Sequence, residues 1–166
     1  MSTLTVSGNA SGAGAITLTS PNTASTYTST LPAATTTLIG TDTTDTLTNK
    51  TLTNPTVTSY IESVVAIGTV TTTNTLSLTN GTVQTATLTA STACTFTMPT
   101  IIAGKSFMLF LKQAASTGNG SATFTSVIWG TSGAPTITAT AGKMDILTFI
   151  SDGTNWYGSI AQGYTP

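Results

Sequence analysis

From about residue 69 the chain alternates apolar and polar residues in short runs, the period-two pattern of strands with one buried face. Leu76-Ser-Leu78, Ala86-Thr-Leu88, Cys94-Thr-Phe96-Thr-Met98 and Ile137-Thr-Ala139-Thr-Ala141 all read this way. Phe107-Met-Leu-Phe-Leu111 is apolar at every position, which predicts a central strand with both faces in the core. Asn80-Gly81 predicts a hairpin, since both residues accept positive φ, and Asn119-Gly120 predicts another turn ahead of Ala122–Trp129. Met144–Ser151 and Trp156–Ile160 flank Asp152-Gly-Thr-Asn155, a four-residue hairpin loop. Roughly six to eight short strands, with turn signals about every 8–12 residues, predict an antiparallel β-sandwich or jelly-roll knob over residues 76–166.

The pattern is thinner toward the N-terminus. Residues 1–58 hold brief alternating pieces, Leu4-Thr-Val6 and Ile16-Thr-Leu18, punctuated by glycine and proline. Thr46-Leu-Thr-Asn-Lys50 is followed at once by Thr51-Leu-Thr-Asn-Pro55, so Leu47, Leu52 and Val57 recur every five residues. An odd spacing sends alternate members to opposite faces of a continuous strand. The chain must bend near Asn49 and Asn54, or each residue must meet a different neighbour. Both options suit a narrow stalk in which several chains each contribute one apolar residue per layer, which makes these three the candidates for subunit contact. Residues 1–58 are therefore expected as an extended arm or stalk and residues 59–75 as a connector. Tyr60, Val64 and Ile67 have helical spacing, but valine and isoleucine dominate there, so helix and strand both stay open.

Composition sharpens this. Threonine supplies about a quarter of the chain and charged residues 5%, against roughly 25% in an ordinary soluble domain. Threonine suits a pleated sheet surface and loses rotamer freedom in a helix. With so few charges, strand edges lack their usual guards, so they are expected to be paired, by closure into a barrel or by interlocking with identical chains, and the thin N-terminal third favours the second. A net charge of −1 without arginine leaves no electrostatic footprint for nucleic acid. No run approaches the roughly 18 apolar residues of a membrane span. The start, Met1-Ser-Thr-Leu-Thr-Val6, has neither a basic nor an apolar signal region, so no secretory signal is expected.

The same inventory argues against an enzyme, a cofactor or a metal centre. Without histidine the usual general base at neutral pH is missing, as are metal sites built on His or paired Cys. Asp145 and Asp152 are seven residues apart, about 24 Å if fully extended, too far to flank one bond. Asp42 and Asp45 could help hold a cation but read first as turn caps. Cys94, in an alternating run, reads as a small buried hydrophobe. Trp129, Trp156 and Tyr157 could form a sugar-stacking platform. Trp156 and Tyr157 are adjacent, however, and in a strand must point to opposite faces.

The stretch Ala134-Pro-Thr-Ile-Thr-Ala-Thr-Ala-Gly-Lys-Met-Asp-Ile-Leu-Thr-Phe-Ile-Ser-Asp-Gly-Thr-Asn-Trp-Tyr-Gly158 resembles the C-terminal β-domain of bacteriophage fibre and head-decoration proteins. There an apolar strand, a short Asp-Gly turn and Trp-Tyr-Gly close the domain. The resemblance covers roughly residues 76–160. Asp45-Thr-Leu-Thr-Asn-Lys-Thr-Leu-Thr-Asn-Pro-Thr-Val57 is separately similar to a linker of phage fibres, and Leu31-Pro-Ala-Ala-Thr35 resembles another. A departure is Trp129-Gly-Thr-Ser-Gly-Ala-Pro135, where relatives more often read Trp-Pro. The resemblance implies a homotrimer without catalytic residues. It would be a capsid decoration (cement) protein or short head fibre on the outside of the virion, bound to the major capsid protein or other virion proteins. The alternative is a tail-fibre or receptor-binding tip contacting host surface glycans. Length favours the capsid, because a tail fibre needs an adaptor, a long shaft and a tip.

Overall fold

The structure, a computed structural model, describes residues 50–166 and, before them, residues 11, 12, 24–26, 28, 44 and 46–48. The chain divides into two units, Met1–Thr53 and Asn54–Pro166, and all nine described strands lie in the second. They are β1 (Val64–Val70), β2 (Thr73–Thr75), β3 (Val83–Leu88), β4 (Ala93–Thr97), β5 (Ser106–Lys112), β6 (Ser121–Phe124), β7 (Val127–Trp129), β8 (Met144–Ser151) and β9 (Trp156–Tyr164). There is no helix among the described residues; the protein is all-β there, as the threonine-rich alternation predicts.

The first six strands alternate between two sheets. β1, β3 and β5 lie parallel in one, and β2, β4 and β6 lie parallel in the other. Each consecutive pair makes one coil, and three coils stack in the manner of a β-solenoid. Hydrogen bonding continues around the corners. Thr89 N–H donates to Val70 O at 3.1 Å and Thr95 N–H to Thr72 O at 2.8 Å, tying the second coil to the first. Ser121 N–H donates to Thr92 O at 3.0 Å, tying the third to the second. The larger sheet is completed by β8 antiparallel to β5, β9 antiparallel to β8, and β7 parallel to β9, in the order β1-β3-β5-β8-β9-β7.

This arrangement corrects the antiparallel sandwich or jelly roll, since five of the seven ladders are parallel. The Asn-Gly pairs explain the difference. Asn80-Gly81 lies between β2 and β3 and carries the chain from one sheet to the other, so it makes a corner and not a hairpin. Asn119-Gly120 does the same between β5 and β6, with Asn119 at φ 56°. Asp152-Gly-Thr-Asn155 does close a hairpin, between β8 and β9. Residues 64–75, expected as part of a connector, are strands of the first coil, and Val70 and Leu76 are buried in the core. The folded unit therefore begins near Asn54 and not at residue 76.

The core draws on both sheets, and aromatic rings pack against one another within it. Phe107 stacks on Phe149 at 4.7 Å and meets Trp156 edge-on at 5.3 Å, while Phe96 stacks on Phe124 at 5.1 Å. Ile137–Ala141 alternates cleanly yet forms no strand. Buried Asp145 accepts the Thr138 N–H through Oδ2 at 2.7 Å, and Gln113 Nε2 donates to Thr138 O at 2.7 Å. Side chains thus satisfy the backbone groups a ladder would have used.

The sheet edges are managed without charge. β2 and β7 have three residues and β6 has four. β1 is longer, but a register shift between Ala66 and Gly68, with Gly68 at φ 86°, breaks it. Short edges and bulges both discourage further pairing.

Candidate interaction surface

The outer face of the six-stranded sheet is apolar and open. Along β5, Phe107, Leu109 and Leu111 enter the core, so the intervening Met108 and Phe110 face outward. The run expected to be buried on both sides is buried on one. Register places Ile128, Tyr157, Ile150 and Ser106 in one row across the sheet. Ser159, Thr148, Met108, Val83 and Val64 form the next, and Ala161, Ile146, Phe110, Thr85 and Ala66 the one after. Met108 is 40% exposed, Ile150 56% and Val64 63%. Across the second row, the hydroxyls of Thr148 and Ser159 hydrogen-bond at 2.5 Å.

A hollow of about 380 Å³ opens on this face, with Glu62, Val83, Met108, Ile150 and Tyr157 among its lining residues. At its rim the Glu62 carboxylate accepts a hydrogen bond from the Thr82 hydroxyl. The Tyr157 phenol donates to Asp152 Oδ2 at 2.9 Å, while Asp152 Oδ1 accepts the N–H groups of Thr154 and Asn155 at 2.7 and 2.8 Å. The Asn155 and Thr154 amides, and then the phenol, hold the Asp152 carboxyl below its ordinary range. In return the hydrogen bond to Asp152 raises the Tyr157 phenol.

A second group of exposed apolar residues precedes β1. Leu47, Leu52 and Val57, the candidate subunit contacts, are each more than half exposed, as are Tyr60 and Ile61, the last at 95%. None belongs to a strand. Among the described residues, the exposed large hydrophobic side chains thus fall into this group and the sheet face, Ile102 apart.

The three candidate sugar-contact aromatics are not gathered on one surface. Trp156 is fully buried and donates its indole N–H to Pro99 O at 3.0 Å. Trp129 is half-buried against Phe124 and Phe149. Tyr157 alone lies on the outer face, which leaves one ring where a stacking platform needs several. Asp145 is buried at one end of β8 and Asp152 sits in the turn at the other. Asp42 and Asp45 lie outside the described residues. Cys94 is buried, and that burial raises its thiol pKa.

Val64, Met108, Ile128 and Ile150 were not among the candidates read from the sequence. The signal for Met108 was the uninterrupted apolar run Phe107–Leu111, too hydrophobic for a strand that buries one face, while Val64, Ile128 and Ile150 join it only through strand register. No protein-family model, curated protein or solved structure matches this chain.

Proposed function

We propose that this chain is a non-catalytic structural protein of a bacteriophage particle. It acts as a homotrimer on the outside of the virion, as a capsid decoration protein or short head fibre. The observation that carries the reading is the division of exposed apolar surface on a charge-poor all-β unit. One part lies on an exposed segment preceding β1 and the other on an open sheet face. Apolar surface of this kind, kept out of water only by assembly, suits a protein that works by binding copies of itself and a larger particle. The linker-like repeat over residues 45–57 and the Asp-Gly-Thr-Asn-Trp-Tyr-Gly closure over residues 152–158 point to the same class.

The test uses particles that lack the protein. Labelled full-length chain, added back and imaged, should distribute over the capsid. Label confined to the tail would favour a tail fibre, and no binding at all would remove the virion role.

A further inference from the structure

We propose that residues 54–61 of one copy lie across the outer face of the six-stranded sheet of the next, with Tyr60 and Ile61 against Met108, Ile150 and Tyr157. The proposal rests on the self-association argued above and names the surfaces that carry it.

Residues 51–61 carry no charge, and the charged groups at the facing surface are Lys112 at one end, Glu62 at the rim and Asp152, whose carboxylate accepts the Tyr157 phenol. Burying one against the other leaves few ions to desolvate. Reach is adequate. The segment bends at Asn54 and Ser59, at φ 50° and 54°, but Met108, Ile150 and Tyr157 lie on three adjacent strands about 10 Å across, within the span of a few residues. The point of departure also matters. Glu62 is held at the rim of the hollow by Thr82, so the segment before it leaves from the β1–β3 side of the sheet. Within its own chain the segment stays exposed. Donor segment and acceptor face are different patches, so the contact is head-to-tail, the kind that closes into a ring when its rotation permits. The broken edge of β1 and the shortness of β2, β6 and β7 make these edges poorer surfaces for a sister chain than the face.

Cysteines placed at Ile61 and Ile150 test this in the full-length chain, with a short flexible bismaleimide as the cross-linker. Both positions are exposed and should tolerate the change, which circular dichroism verifies, and buried Cys94 should stay unreactive. I61C/I150C should form covalent ladders reaching the mass of the whole oligomer, while I61C and I150C alone stay at monomer mass. Ile150→Asp should raise the concentration needed for assembly about tenfold or more, as loss of a buried anchor does. Ladders from I150C alone would show faces packing on each other, and a cross-link at monomer mass would show the segment folded on its own face. Either overturns the proposal. A trimer by sedimentation with no ladder and no effect of Ile150→Asp would overturn the surfaces while leaving self-association standing. A monomer by sedimentation would remove both.

Discussion

The ring of Trp129 lies directly over Gly158, so close that a methyl group there would come within 2.6 Å of Trp129 Cζ3. β7 and β9 pair in parallel with these two residues opposite each other, and the indole occupies the space a side chain would take. Phe124 and Phe149 hold the other sides of the ring, at 5.9 Å each. Gly158→Ala should therefore displace the indole and cost about 1–3 kcal/mol, the usual penalty of overpacking. Thermal unfolding followed by tryptophan fluorescence checks this. An unchanged melting temperature and emission would show that the ring has room to move.

The closing hairpin should carry a pH dependence of defined sign. Asp152 is more acidic folded than unfolded, where a carboxyl titrates near about 3.9. Its contribution is complete above that value and disappears as pH falls through the lower folded pKa. Tyr157 is shifted upward, so its contribution is present below about pH 10 and is lost as pH rises through the folded value. Tyr157→Phe should abolish the alkaline limb and only reduce the Asp152 shift, because the Asn155 and Thr154 amides are the larger causes. Carboxyl NMR titration of the two proteins reads both effects. An Asp152 that titrates at the unfolded value in either protein contradicts the turn geometry.

Much of the local structure was legible from alternation. Residues 83–88, 93–97, 106–112 and 144–151 are strands where the pattern places them. What alternation does not encode is the partner. A period of two specifies which side chains share a face, and it is the same for parallel and antiparallel neighbours. Asn80-Gly81 accepts the φ values of a hairpin and those of a solenoid corner alike, so the topology was misread there. Ile137–Ala141 was misread because Asp145 and Gln113, remote from it in sequence, take its backbone bonds. Of the candidate surface, the opposite facing of Trp156 and Tyr157 was legible, but not that Tyr157 is the outward one. The remainder depends on register between strands far apart in the chain.

Cys94 provides a probe of the three-stranded sheet. It is 2% exposed on β4, beside Ala122 of β6. Thiol labelling of the native protein should be slow and should track unfolding, because burial both shields the sulfur and disfavours the thiolate. Labelling at the rate of a free thiol would place Cys94 at the surface.

Truncation tests where the folded unit starts. Residues 54–166 should unfold cooperatively. Residues 76–166 lack β1 and β2 and with them Val70, whose burial alone contributes about 1.5–3 kcal/mol. Denaturant midpoints of the two fragments should differ accordingly. Equal midpoints would mean that the first coil is not part of the cooperative unit.

Self-association is the claim on which the rest depends, and native mass tests it most directly. Sedimentation equilibrium of the full-length 16.7 kDa chain at micromolar concentration should give a trimer. That mass should persist from low salt to about 1 M, where the Debye length is near 3 Å, because the proposed contact is apolar and has few ion pairs to screen. A single species at 16.7 kDa, or a trimer that falls apart as salt rises, would contradict the account.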